Sequence, residues 1–114
     1  MLSHIDLLEG KPITSSEALN ASMKVLVSPT EGWLDHVMRL IEVAPGGHTP
    51  KHQHPWPHIN YVVGGIGELM IAGVSQKVGS GHYAFIPENT LHQFKNAGVE
   101  PFSFICIVPK EGHK

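Results

Sequence analysis

The chain holds a single cysteine, Cys106, among 114 residues, so no internal disulfide can form. That scarcity fits a reducing compartment, and a cytoplasmic location is expected. Long apolar runs are missing too, and none approaches the roughly 20 residues that a membrane-spanning helix needs. The first residues, Met1 to Lys11, carry Asp6 and Glu9 and lack the charged-then-apolar layout of a signal peptide. Charge is nearly balanced and unclustered, 8 Lys and Arg against 10 Asp and Glu. Phosphate backbones and anionic membranes are bound by concentrated positive charge, so neither nucleic acid nor a membrane is an expected partner. Helix signals are weak as well: Ser15 or Ser16 could cap one short turn over Glu17 to Asn20, and little else reads as helix. Strands do not alternate with long helices, which disfavours a parallel α/β fold. No repeat, low-complexity segment, linker or partnered Ser-His-Asp arrangement is visible.

What is present is punctuation, 12 Gly and 9 Pro, between short apolar runs. The runs predict strands near 23–27, 34–43, 52–54, 59–63, 67–71, 74–78, 82–86, 92–95 and 102–108. Their spacing of about ten residues suggests an all-β antiparallel sandwich or barrel. The length suits one domain over 1–114, and 41% apolar residues suffice for one core. Ala44-Pro-Gly-Gly47 reads as a strand end, Ala72-Gly73 as a hairpin connection and Pro87-Glu-Asn89 as a turn with Asn89 in the left-handed conformation.

The unusual number is nine histidines, more than Lys and Arg together. Histidine is the commonest metal ligand and the side chain that titrates near neutrality. In a strand, His52 and His54 would share one face, their Cα atoms about 7 Å apart, close enough to converge on one ion. His58 follows across Pro55-Trp56-Pro57, where two prolines favour a bend that would tip it towards the same centre. His92 is remote and could join the cluster only through folding. Neutral imidazoles suit zinc, copper, iron, nickel or manganese rather than calcium or magnesium. They would leave the charge of a divalent ion uncompensated, which favours anionic ligands.

The segment from Gly46 to Gly65 reads Gly46, five residues, His52-x-His54, three residues, His58, six residues, Gly65. It resembles the first cupin motif, G-x5-HxH-x3,4-E-x6-G. The segment from Gly81 to Asn96 reads Gly81, five residues, Pro87-x-Asn89, two residues, His92, three residues, Asn96, and is similar to the second motif, G-x5-P-x-G-x2-H-x3-N. Asn89 replaces a glycine, a mild change because both tolerate the left-handed turn. His58 stands where most cupins have glutamate, as in small single-domain cupins with an all-histidine site, several of which hold manganese. The resemblance implies a cupin-type double-stranded β-helix, a jelly-roll barrel. It implies His52, His54, His58 and His92 as ligands of one divalent transition metal per chain, manganese first, with iron, zinc, nickel or copper as alternatives. It also implies a homodimer made by strand exchange or sheet packing, with residues 1–22 as an N-terminal arm on the barrel or on the dimer partner.

Several further residues are candidates for the pocket of a small anionic or aromatic ligand. Arg39 lies in an apolar strand and either faces solvent or lines the barrel, where it would hold a substrate carboxylate bidentately. If Ser103 faces outward, period 2 aims Phe102, Phe104, Cys106 and Val108 inward. Phe94 shares parity with His92, and Asn60 with His58. For the aromatics ordinary core packing competes with a pocket role, and Cys106 reads as a small buried hydrophobe rather than a nucleophile. His48 could sit at the pocket mouth, whereas His4, His36, His82 and His113 read as surface or interface residues. Glu88 is expected to solvate its turn. No catalytic residue is assigned.

Cupins host many chemistries, so the reaction stays open. The first expectation is a metal-dependent oxidoreductase, dioxygenase-like or peroxide-using, acting on a small organic anion or aromatic. The alternatives are a non-redox Lewis-acid isomerase or decarboxylase and a non-catalytic ligand-binding module.

Overall fold

The computed structural model describes residues 1–113; Lys114, the last residue of the expected 1–114 domain, lies outside the described residues. Nine strands carry the fold: β1 (Lys11–Pro12), β2 (Leu19–Val27), β3 (His36–His48), β4 (His58–Gly64), β5 (Ile66–Ile71), β6 (Val74–Gly79), β7 (Tyr83–Ile86), β8 (His92–Asn96) and β9 (Phe102–Pro109). The only helical pieces among the described residues are single 3-10 turns at Ile5–Leu7, Pro29–Glu31 and Lys110–Gly112. None is long and apolar enough to cross a membrane.

All strand pairings are antiparallel, in the order β6-β5-β8-β3-β9-β4-β7, with β2 adding to β3 and β1 to β2. The sheet curls on itself in the expected jelly-roll manner, because β3 meets β8 only at its far end, His48 opposite Lys95. The alternation of β9 follows from its sequence. Phe102, Phe104, Cys106 and Val108 are buried, while Ser103, Ile105 and Ile107 alternate with them and are less buried. Phe94 stacks on Phe104, with centroids 4.0 Å apart and planes at 18°, and Phe102 closes the cluster. Gly67 on β5 faces this cluster, and any Cβ there would overlap the Phe102 ring, so a bulkier residue would force β5 and β9 apart.

Two turns are built as the sequence suggests. Ala72 and Gly73 both take positive φ, 52° and 84°, the two-residue connection whose twist matches the flanking strands. Asn89 sits at φ 57°, which Asn tolerates. Three expectations are corrected. Ala44-Pro-Gly-Gly47 does not end a strand: β3 runs on to His48, where Leu19 of β2 pairs with it. Residues 52–54 form no strand; His52 makes only an isolated bridge to His92, because the surrounding prolines withhold the donors a ladder needs. The turn near Ser15 is real, with Ser15 Oγ accepting from Glu17 N, but Leu19 and Asn20 already belong to β2.

Candidate metal centre

Two of the four candidate histidines open strands, His58 on β4 and His92 on β8, and the other two lie in the segment between β3 and β4. The fold gathers all four rings. His92 touches each of the others, with centroids 4.9 Å from His52, 5.0 Å from His54 and 4.7 Å from His58. His54 touches His52 at 5.1 Å and His58 at 5.3 Å. Donor atoms of His52, His54 and His92 lie within 4.8 Å of one another, a group that could hold a metal ion. His58 adjoins it, its Nε2 3.0 Å from His92 Nε2.

Hydrogen bonds on the far side of the rings fix which nitrogens face inward. His54 Nδ1 donates to Trp56 O (2.8 Å), His58 Nδ1 to Asn60 Oδ1 (2.6 Å) and His92 Nδ1 to Thr90 O (2.8 Å). The Asn60 amide is itself oriented, since its Nδ2 donates to Ile105 O (3.3 Å). A carbonyl oxygen only accepts, so in each neutral ring the proton resides on Nδ1 and the lone pair on Nε2. Two such lone pairs, on His58 and His92, then face each other at 3.0 Å and cannot bond to one another. A cation between them resolves that conflict, and outer carbonyl partners of this kind are what metal-ligating histidines commonly have. The residues therefore fit a divalent metal.

The pKa values point the same way. All four rings are held below the ordinary histidine value, in each case first by burial; His92 falls to about 4. Neighbouring histidines add to the lowering at His52, His54 and His92, Arg39 adds to it at His52, His54 and His58, and Glu17, outside the cavity wall, opposes it at His52. Exposure is graded, from exposed His52 through His54 to buried His58 and His92.

The rings border a cavity of about 410 Å³. One row of paired residues crosses its floor: Arg39 on β3, Cys106 on β9 and Asn60 on β4. Arg39 Nη2 donates to Cys106 Sγ (3.1 Å), and that sulfur lies 3.8 Å from His58 Nδ1. Phe94 and Phe104 form an apolar wall. Arg39, Asn60, Phe94, Phe104 and Cys106 thus share one cavity with the four histidines, and Arg39 takes the inward alternative. Among the described residues no Asp or Glu lines it.

Sequence reasoning missed other parts of the wall. Trp56 stacks on His54, with centroids 4.7 Å apart and planes at 12°. Ile13, Ser15 and Met23 come from the N-terminal region, and Gly112 from the C-terminal turn. Only pairing of β1 and β2 onto β3 brings the first three there, so no local signal could have found them. His48 does not line the cavity, although Thr49 and Pro50 do; its Nδ1 bonds to Thr49 O (3.1 Å), beside Gln93. His113 is not simply at the surface, since Nδ1 is buried and Arg39 acts on the ring. Glu88 stays outside the wall.

A family model described as "Cupin domain" matches residues 39–108. A curated relative, 1-methylthio-D-xylulose 5-phosphate methylsulfurylase of Rhodospirillum rubrum, is 30% identical over 110 residues, covering 96% of this chain and 69% of the relative. Among solved structures, the polyketide cyclase RemF from Streptomyces resistomycificus superposes with a TM-score of 0.89 at 27% identity, over 96% of this chain and 78% of that one. A cupin-2 domain protein, also from Rhodospirillum rubrum, gives a TM-score of 0.82 at 28% identity, over 94% and 71% of the two chains.

Proposed function

The chain belongs to the cupin family, and on that premise we propose that it is a metal-dependent enzyme acting on a small anion that carries a carbonyl or enol group. The observation that carries this reading is the charge of the cavity wall: four neutral imidazoles and Arg39, with no Asp or Glu among the described residues. His52, His54, His58 and His92 would hold one divalent transition metal, with manganese the first candidate. A metal held there supplies Lewis acidity towards a carbonyl oxygen and, if the ion is redox-active, an electron-transfer partner.

The chain's own residues would bind and orient the ligand. Asn60 holds the His58 ring in place, Arg39 attracts the anion, and Phe94 and Phe104 exclude water from one side. The volume suits a small molecule. Two reactions fit such a site, the oxidoreductase expected from sequence and a non-redox reaction through carbonyl polarisation. The names of two relatives, a 1-methylthio-D-xylulose 5-phosphate methylsulfurylase and a polyketide cyclase, support a carbonyl-bearing substrate, and for it we adopt carbonyl polarisation as the reading to test first. Zinc-loaded protein should catalyse exchange of solvent deuterium into ketose phosphates or β-keto acids, followed by proton NMR. Exchange absent with zinc, together with oxygen uptake by the manganese or iron form, would establish the oxidoreductase instead.

We also propose a homodimer. Ile59, Tyr61 and Val63 of β4 and Tyr83 and Phe85 of β7 expose a continuous apolar face, with Ile59 opposite Phe85 and Tyr61 opposite Tyr83. None of these side chains is charged, so the face can meet its own copy across a two-fold axis. Light scattering should give twice the chain mass, and Tyr61→Lys should give a monomer. A monomeric parent protein at micromolar concentration would refute this.

A further inference from the structure

Among the described residues, two buried side-chain polar atoms lack a hydrogen-bond partner, Arg39 Nε and His113 Nδ1. Buried polar groups are almost always satisfied, and an exception commonly marks a missing ion, water or ligand. Both stand at one cavity, which Arg39 lines directly and which His113 adjoins through its neighbour Gly112. The Arg39 charge acts on His113, whose pKa is lowered first by burial and then by Arg39. Gly112, the residue before His113, lines the cavity that Arg39 enters.

Arg39 is the only arginine in the chain. Among the described residues no carboxylate pairs with it, the ion pairs there being His4 with Asp6 and Lys110 with Asp35. A half-buried guanidinium with a free donor and no counter-ion is poised for an anion, which its fork can bind through two nitrogens at once. His113 is held in position by its turn. Lys110 N donates to Asp35 O (2.9 Å), its Nζ pairs with Asp35 at 3.8 Å, and Gly112 lies so close to the Trp56 indole that any Cβ there would overlap it.

We propose that Arg39 and His113 form an anion subsite, separate from the histidine cluster, that binds a phosphate or carboxylate group at the far end of the ligand. The neutral His113 ring donates from Nδ1, and Arg39 donates from Nε while Nη2 remains on Cys106. Cys106 lies between the two poles, in contact with Arg39 on one side and near His58 on the other. The ligand is therefore two-ended, with its carbonyl or enol at the histidines and its anionic group under the C-terminal turn. This placement rests on the reading of the cavity as an anion site, but the subsite requires no metal.

The test uses the metal-free full chain. A single arginine gives a single Nε–H signal in proton–nitrogen NMR, so Arg39 can be followed without ambiguity. Titration with inorganic phosphate or with acetate should shift that signal and the His113 ring signals saturably, and the tighter of the two identifies the group. His113→Ala should weaken the preferred anion by about 10-fold, the value of one hydrogen bond to a charged group. Arg39→Lys, which keeps the charge but removes Nε, should not restore parent affinity. A His82→Ala control, at an exposed histidine, should bind as the parent does. Absence of a saturable Arg39 shift with either anion would overturn the subsite. Unchanged affinity in His113→Ala would remove His113 from it. Either result would leave the metal proposal standing, and loss of metal binding alone would leave the subsite standing.

Discussion

His92→Ala should abolish metal retention, with affinity falling by at least about 100-fold, because losing only an outer partner of a ligating histidine already costs about 10–100-fold. His92 is the ring in contact with all three others, and its Nε2 is the atom that confronts His58 Nε2 at 3.0 Å. Removing it dissolves the cluster rather than trimming its edge. Titration of the chelator-treated protein with manganese or zinc should raise Tm in the parent, because an ion that binds only the folded chain stabilises it. The rise should vanish in the variant. A parent protein whose Tm ignores both metals would refute the centre, and a His58→Ala variant with full occupancy would reduce it to three ligands.

The same prediction has a pH arm with a definite sign. His92 has its folded pKa lowered to about 4, and His52, His54 and His58 are also lowered. Above the ordinary value of 6.5, folded and unfolded chains are both neutral at these positions, and the stability they contribute is fully present. As pH falls from there towards about 4, the unfolded chain takes up protons that the folded one refuses, so the metal-free protein loses stability across that window. Metal loading should resist acid in the same direction, since protons compete only once the folded rings begin to titrate. Thermal melts of chelated protein at several pH values check this; a Tm that rises on acidification would contradict it.

Phe104→Ala should destabilise the fold by about 3–5 kcal/mol, the usual cost of deleting a buried phenylalanine ring. The ring is 1% exposed and stacked on Phe94 at 4.0 Å, on a strand hydrogen-bonded to both β3 and β4. Tm should fall by roughly 15 °C in a domain of this size. Val99→Ala, at a side chain 91% exposed, should move stability by no more than about 0.5 kcal/mol. Equal midpoints for the two variants in denaturant would show that the aromatic cluster does not hold the curled sheet together. Because Phe104 also walls the cavity, the variant should lose ligand discrimination along with stability.

Much of this was legible because the signals are local. Period-2 alternation in Phe102 to Val108 identified the buried face of β9, since every second side chain of a strand points the same way. Asn89 and Ala72-Gly73 declared their turns through backbone preference. The two spaced histidine segments identified the family, and with it the fold. Other features were illegible for equally physical reasons. His52 and His54 were expected to converge because a strand would align them. They converge instead because a single bridge to His92 holds an irregular, proline-flanked segment in place. Gly46 and Gly47 look like a strand end, but the hydrogen bonds that extend β3 come from β2, about twenty-five residues earlier in the chain.

By itself the sequence determined the nine histidines, the spacing that places four of them in two motifs, and an all-β antiparallel fold, which the resemblance to cupins narrowed to a jelly roll. These depend on side-chain type and near-neighbour geometry. Only the tertiary structure decided which way Arg39 faces, because a period-2 pattern offers both faces until strand pairing chooses one. Only the tertiary structure brought His113 within the field of Arg39 and removed carboxylates from the cavity wall. Those are long-range relations, set by chain closure across the sheet, and they give the pocket its positive character.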